Sequence, residues 1–224
     1  MPEALRIKMD FVNAYLVDVD RNFLLFDTGL KSERQTLLSA LAAAGCHRGN
    51  LKLVILSHAD PDHAGNAAYL HDEWGARIAI HAADAPFLAG AEPPVRLARN
   101  RKAAFRIFFQ GFFKGARKRA LEPMQANVLL KDRQALCGFG LCGQVLHFPG
   151  HSPGSLALVL PEGDLFCGDL FDNHSAPGLS PFYYDEAAYR SSLERAKSIA
   201  KGWRTIHPGH GDPFPADKVM SMEF

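Results

Sequence analysis

The sequence has few cysteines, no long apolar run and no excess of either charge, and each shortage removes a class of protein. Cys46, Cys137, Cys142 and Cys167 are scattered, with no Cys-x-x-Cys pair among them. That usage fits free thiols in a reducing compartment, so a cytoplasmic protein is expected, and a Cys137–Cys142 bridge across a short hairpin is the less favoured alternative. No stretch approaches the ~20 apolar residues of a membrane span, so no transmembrane segment is expected. Met1 to Asp10 lacks the apolar core of a secretion signal. The formal net charge of +1 gives no reason to expect a nucleic acid as partner. Low-complexity linkers and short-period repeats are also missing.

What is there suits a packed fold. Across 224 residues, 47% are hydrophobic and 22% charged, enough for a sizeable core in one domain spanning 1–224. Residues 11–19 and 22–26 are short apolar runs around Asp20-Arg21 and predict two paired strands. Ser32 to Ala44 is rich in Leu, Ala, Gln and Glu, with Ser32 to cap it and Gly45 to end it, and predicts a helix. Leu51 to Leu56 predicts a buried strand, Ala64 to Trp74 a helix and Arg77 to Ile80 a strand. The second half repeats the theme, with strands at Leu141–Phe148, Ser155–Leu160, Asp164–Cys167 and Arg204–His207 and a helix at Asp185–Lys201. Strands alternating with helices in both halves predict a layered α/β or α+β sandwich.

Residues 95–119 differ. Arg96, Arg99, Arg101, Lys102, Arg106, Lys114, Arg117, Lys118 and Arg119 stand without an intervening acid. Phe105, Phe108, Phe109, Phe112 and Phe113 recur at helical spacing, which predicts a basic amphipathic helix. Such a stripe packs on its own domain or on a second subunit, making a homo-oligomer one expectation. A lid over a site that takes an acyl chain or anionic group, or contact with an anionic membrane surface, are the functional alternatives.

The chemistry concentrates at strand ends. The strand at Leu51–Leu56 runs into Ser57-His58-Ala59-Asp60-Pro61-Asp62-His63-Ala64-Gly65, four metal-ligating side chains within six positions. His offers a neutral nitrogen and Asp an anionic oxygen, ligands that zinc, iron and manganese accept. The plain alternative is a polar loop with Asp60 or Asp62 capping the next helix. Three later turns shift the balance: Pro149-Gly150-His151, Cys167-Gly168-Asp169 and Pro208-Gly209-His210 each follow an apolar strand, where loops over a sheet gather their side chains.

This order of motifs resembles the metallo-β-lactamase superfamily, whose signature is His-x-His-x-Asp-His, then His, Asp and His. The resemblance runs from Asp27-Thr28-Gly29 to His210 and implies an α+β fold, a four-layer αββα sandwich with the metals at one edge, into which residues 95–120 would be a helical insertion. It implies that His58, Asp60 and His151 hold one divalent ion, that Asp62, His63 and His210 hold a second, and that Asp169 bridges them. Asp60 departs from the signature, where a second His is usual, and a harder oxygen there moves preference toward iron or manganese from zinc, the first expectation. Asp27 and Ser57 are candidates to orient the ligand imidazoles, or are plain turn residues.

Two metals would activate a water, with Asp62 orienting it or relaying its proton. The expected function is therefore a metal-dependent hydrolase acting on an ester-like bond of a small molecule: a thioester, a lactone, or another acyl or phosphoryl substrate. An iron-dependent oxidoreductase acting on oxygen, nitric oxide or a persulfide is the alternative. Asn173 and His174 lie just beyond Asp169 and are candidate substrate contacts, His174 reading equally as an ordinary loop residue. Phe182, Tyr183 and Tyr184 either line the pocket or pack on the following helix, with Tyr183 the candidate substrate contact among them, and Cys167 is expected to be a buried, inert thiol.

Overall fold

The computed structural model of the chain describes residues 4–99, 121–140 and 142–224. Its strands in chain order are β1 (Ala4–Lys8), β2 (Asn13–Val19), β3 (Asn22–Phe26), β4 (Leu51–Ile55), β5 (Arg77–His81), β6 (Leu97–Ala98), β7 (Val128–Leu130), β8 (Gln144–His147), β9 (Leu156–Val159), β10 (Asp164–Gly168), β11 (Phe171–Asp172), β12 (Gly178–Leu179), β13 (Phe182–Tyr183), β14 (Thr205–Pro208) and β15 (Phe214–Pro215). Two mixed sheets result, one ordered β1-β2-β3-β4-β5-β7 and the other β15-β14-β10-β9-β8.

The period of two along each strand divides its side chains between two apolar layers. Tyr15, Val17, Leu53 and Ile55 from the first sheet meet Val145, Leu156, Leu158 and Phe166 from the second. Leu16, Leu25, Val54, Ile78 and Ile80 face the other way, onto helices α1 (Arg34–Ala43) and α3 (Ala67–Trp74) through Leu37, Leu41 and Leu70. Leu146, Ala157, Leu165 and Ile206 likewise face Tyr189, Leu193 and Ala196 of α5 (Glu186–Ile199). Burial on both faces is why β4, its exposed Lys52 apart, reads as an apolar run rather than an alternation. The result is the α+β, four-layer αββα sandwich.

Several expectations need adjustment. The helix expected from Ser32 starts with a 3₁₀ turn at Lys31–Glu33. The helix expected from Ala64 is two pieces, α2 (Pro61–Ala64) and α3, broken at Gly65-Asn66. Asn66 stands at the N-cap position of α3, and its amide donates to the Thr28 and Leu30 carbonyls at 2.8 and 2.9 Å. Strands β1 and β7, α4 (Ala85–Leu88) and the short pairs β11–β12 and β13–β6 were not foreseen. The first residues of the expected basic helix are strand instead: Leu97 pairs with Tyr183 and Ala98 with Phe182. Phe105, Phe108, Phe109, Phe112 and Phe113 lie outside the described residues. All four cysteines are free. Among the described residues no helix is long and apolar enough to cross a membrane.

Candidate metal centre

Strand ends of both sheets deliver the site. Leaving β4, the chain passes through His58 and Asp60 before Pro61 starts α2, where a proline costs no hydrogen bond. Asp60 occupies the capping position without a side-chain cap bond, so its carboxylate is left for other partners. His151 follows β8, Asp169 follows β10 and His210 follows β14.

All four imidazoles are fixed through Nδ1 and turn Nε2 inward. Asp27, a non-glycine residue in left-handed backbone (φ 61°), is central to this. Its Oδ2 accepts from His63 Nδ1 at 2.8 Å and from the Ser57 hydroxyl at 2.8 Å. Ser57 Oγ in turn lies 2.9 Å from His58 Nδ1. His151 Nδ1 donates to the Phe182 carbonyl at 2.9 Å and His210 Nδ1 to the Phe11 carbonyl at 2.8 Å. Such outer partners set the tautomer and leave Nε2 free for a cation.

The inward atoms form two groups that could each hold a metal ion: His58 with His151 and Asp169, and Asp62 with His63 and His210, the ligand atoms of each lying within 4.8 Å of one another. Asp169 spans both, with Oδ2 3.4 Å from His151 Nε2 and Oδ1 3.3 Å from the Nε2 atoms of His63 and His210. Asp60 Oδ2 stands 3.5 Å from His58 Nε2 and 3.6 Å from His151 Nε2, while its Oδ1 accepts from Arg96 Nη2 at 2.9 Å. Asp62 Oδ2 is 3.6 Å from His210 Nε2 on the more open side.

The electrostatics are those of tightly opposed charges. Burial pushes the Asp169 carboxyl up, but the imidazoles of His210, His63 and His151 outweigh it and hold it well below the usual carboxylate range. Burial also opposes ionisation of Asp60, and the Arg96 guanidinium leads the groups that bring it down. Burial, with His63 beside it, lowers His58 to about 3. Burial pulls His210 down and the Asp169 carboxylate pulls it up further, to about 9.

These residues fit divalent ions. His58 Nε2, His151 Nε2 and Asp169 Oδ1 are buried without a hydrogen-bond partner among the described residues, a costly state that a cation relieves. A mixed set of imidazole nitrogens and carboxylate oxygens is what zinc, iron and manganese accept.

The sequence profile of the Metallo-beta-lactamase superfamily matches residues 7–210. The chain belongs to the metallo-β-lactamase superfamily. Among curated members it is 24% identical over 174 residues to the probable metallo-hydrolase YflN of Bacillus subtilis (strain 168), an alignment covering 73% of this chain and 62% of YflN, so the chain spans about three fifths of that relative. Among solved members it is 26% identical to the metallo-beta-lactamase family protein TTHA1429 of Thermus thermophilus, with a TM-score of 0.72 and coverage of 98% of this chain and 78% of that one. It is 29% identical to TTHA1623, solved in a di-iron-bound form, with a TM-score of 0.66 and coverage of 97% and 95%.

Of the three residues expected to touch substrate, two adjoin His210: the Asn173 N–H donates to its carbonyl at 2.9 Å, and only the His174 side chain borders its ring. The His174 ring stacks on His210 with centroids 5.5 Å apart. The Asn173 amide instead donates to the Asp212 carbonyl at 2.8 Å, tying two loops together. Tyr183 is buried in the α5 layer, its ring against Phe224 and its hydroxyl on Glu186. Cys167 is buried, and burial pushes its thiol up.

Sequence reasoning missed Asp84, Arg96 and Phe11 as members of the site, and the part played by Phe182, named only as a pocket-lining or helix-packing side chain. The last two act through main-chain carbonyls, which carry no sequence signal. Asp84 reads as an ordinary acid before a short helix, and Arg96 is hidden in a run of basic residues.

Proposed function

We propose that this chain is a metal-dependent hydrolase of a small ester-like bond, a thioester or lactone, with His58, Asp60 and His151 around one divalent ion, Asp62, His63 and His210 around a second, and Asp169 shared between them. The observation that carries this reading is Asp169 itself, whose two oxygens face His151 on one side and His63 and His210 on the other. Divalent ions in such a site lower the pKa of water and offset negative charge on a reacting oxygen.

The chain's own residues supply orientation and proton handling. The Asp27–Ser57 pair holds His58 and His63 in the tautomer that presents Nε2. Asp62, with a quarter of its side chain exposed, is the carboxylate placed to orient a water and pass its proton outward. Zinc is the first expectation for the metal. Residues 95–120 are taken as an insertion in the single domain, between neighbouring strands β5 and β7 of the first sheet.

The test is elemental analysis of protein grown with zinc, iron and manganese together, followed by assay against thioesters, lactones, β-lactams and phosphodiesters. About two ions per chain and turnover of a thioester or lactone are expected. Metal-loaded protein that hydrolyses nothing in the panel would defeat the reading.

Asp60 supports a second reading, an iron-dependent oxidoreductase, because it adds a hard anionic oxygen beside His58 and His151, and TTHA1623 is a di-iron-bound relative. Bound iron, with oxygen uptake in the presence of a thiol persulfide or a reduced flavoprotein, would favour it.

A further inference from the structure

The buried site atoms without a hydrogen-bond partner among the described residues are not all alike. His58 Nε2, His151 Nε2 and Asp169 Oδ1 are acceptors, and Arg96 Nε and Nη1 are donors. A cation satisfies the first set. It cannot satisfy Arg96, since a guanidinium has five N–H donors and no lone pair to offer. The Arg96 side chain is only 10% exposed, and its Nη2 donates to Asp60 Oδ1 at 2.9 Å. A buried donor left unanswered is costly, so the remaining edge of the guanidinium calls for an oxygen acceptor.

Arg96 is also held in fixed register with the metal centre. Leu97 and Ala98 pair with Tyr183 and Phe182, and the Arg99 N–H donates to the Pro181 carbonyl at 3.0 Å. Phe182 is the residue whose carbonyl orients His151. The opposite end of the site, beside Asp62 and His174, carries one exposed apolar face. Phe11 is 40% exposed, and its ring stacks on His210 with centroids 5.9 Å apart. A substrate lying across the two metal groups therefore meets a cation at the Asp60 end and an aromatic face at the His210 end.

We propose that Arg96 is a specificity residue that receives an oxyanion, a carboxylate or a phosphate, on the part of the substrate at the Asp60 end. The substrate class is then an ester or thioester bearing an anionic group near the reacting carbonyl. The bond cleaved rests on the hydrolase reading; the anion contact does not.

The experiment uses the metal-loaded protein and three thioethers sharing one apolar body, each with a methylene in place of the thioester carbonyl. They end in a carboxylate, a phosphonate or a methyl ether, and binding is measured by calorimetry. Wild type should bind at least one charged analogue about tenfold or more tightly than the methyl ether, and the preferred one identifies the oxyanion. Arg96→Gln should abolish the preference, and Arg96→Lys should keep only part of it, because an ammonium lacks the planar fork. Equal affinity of wild type for all three would overturn the proposal and mean that water serves the guanidinium; so would an undiminished preference in Arg96→Gln. Equal wild-type affinities overturn the proposal without any variant, and where Arg96→Gln fails to fold, the partial loss in Arg96→Lys separates the guanidinium from the metals as the source of the preference. Should wild type prefer a charged analogue yet leave the matching thioesters intact, the hydrolase reading falls and the anion site stands.

Discussion

The carboxylate of Asp84 accepts the Ser152 hydroxyl at 2.7 Å, joining the loop after β5 to the loop that carries His151. It also accepts the N–H groups of Gly154 at 2.6 Å and Ala59 at 3.3 Å, and Ala59 lies between His58 and Asp60. One buried side chain thus fixes two loops that meet at the metal centre. Asp84→Ala would strand several buried donors, each costing about 1–3 kcal/mol, so a stability loss of about 3 kcal/mol or more is expected by urea unfolding. Metal affinity should fall with it, and Asp84→Asn should lie between, since an amide keeps one acceptor. Unchanged metal titration in Asp84→Ala would show that the loops hold their geometry without it.

Asp27 should matter to metal binding although it faces no metal. Its Oδ2 serves His63 directly and His58 through Ser57. Asp27→Asn puts an NH₂ where acceptors are needed, and an affinity loss of about 10–100-fold is expected by competition with a chromophoric chelator. Ser57→Ala touches only the His58 arm and should cost less. Equal losses in the two variants would contradict the branched arrangement.

The two ligand groups predict separable stoichiometry. His151→Ala and His210→Ala should each bring bound metal from about two ions per chain toward one, and Asp169→Ala should weaken both sites. Elemental analysis after dialysis reads this directly. A variant of His210 that retained both ions would remove that residue from the set. Stripping wild type with a chelator should lower its melting temperature, restored on reloading, because metal binds the folded chain alone.

How much of this was legible follows from where the signal resides. His58, Asp60, His151, Asp169 and His210 were legible as ligand-type side chains in turns after apolar strands, and Asp62 and His63 as ligand types in the short helix that follows at once; the structure brings the seven side chains together. The layers were legible because strands such as β4 and β10, buried on both faces, leave apolar runs. The short strands β6 and β13 were not, because a two-residue pair has no period to read. For Tyr183 the sequence left pocket and helix packing open for a related reason. Pairing with Leu97 and contact with Phe224 settle its side chain, and both partners are distant in sequence.

His81 gives the protein a pH dependence remote from the metals. Its ring stacks on His147 with centroids 3.8 Å apart, and its Nδ1 accepts the Ala83 N–H at 3.2 Å. Burial first, and then His147, lower its pKa from 6.5 to about 4. Between those values the unfolded chain binds a proton that the folded chain refuses, so stability should fall as pH drops through that window. Urea melts across it should show a shallower slope in His81→Gln. A slope identical to wild type would mean that other groups set the acid response.

Gly209 offers a way to damage the metal centre while sparing the fold. A Cβ there would sit 2.6 Å from His63 Cε1 and 2.8 Å from Asp169 Oδ1. Gly209 is not among the residues with left-handed backbone, so alanine meets no conformational penalty of its own. The neighbouring Gly211 differs: it has φ 83°, and a Cβ there would collide with the Asn173 carbonyl. Gly209→Ala should therefore unfold close to wild type when both are metal-free, yet lose affinity at the group holding His63 and His210 and lose most activity. Gly211→Ala should lose stability first, with its metal loss following from that. If Gly209→Ala kept full metal content, the space between His63 and Asp169 would not be where the second ion sits, and the assignment of Asp169 as the shared ligand would fall with it.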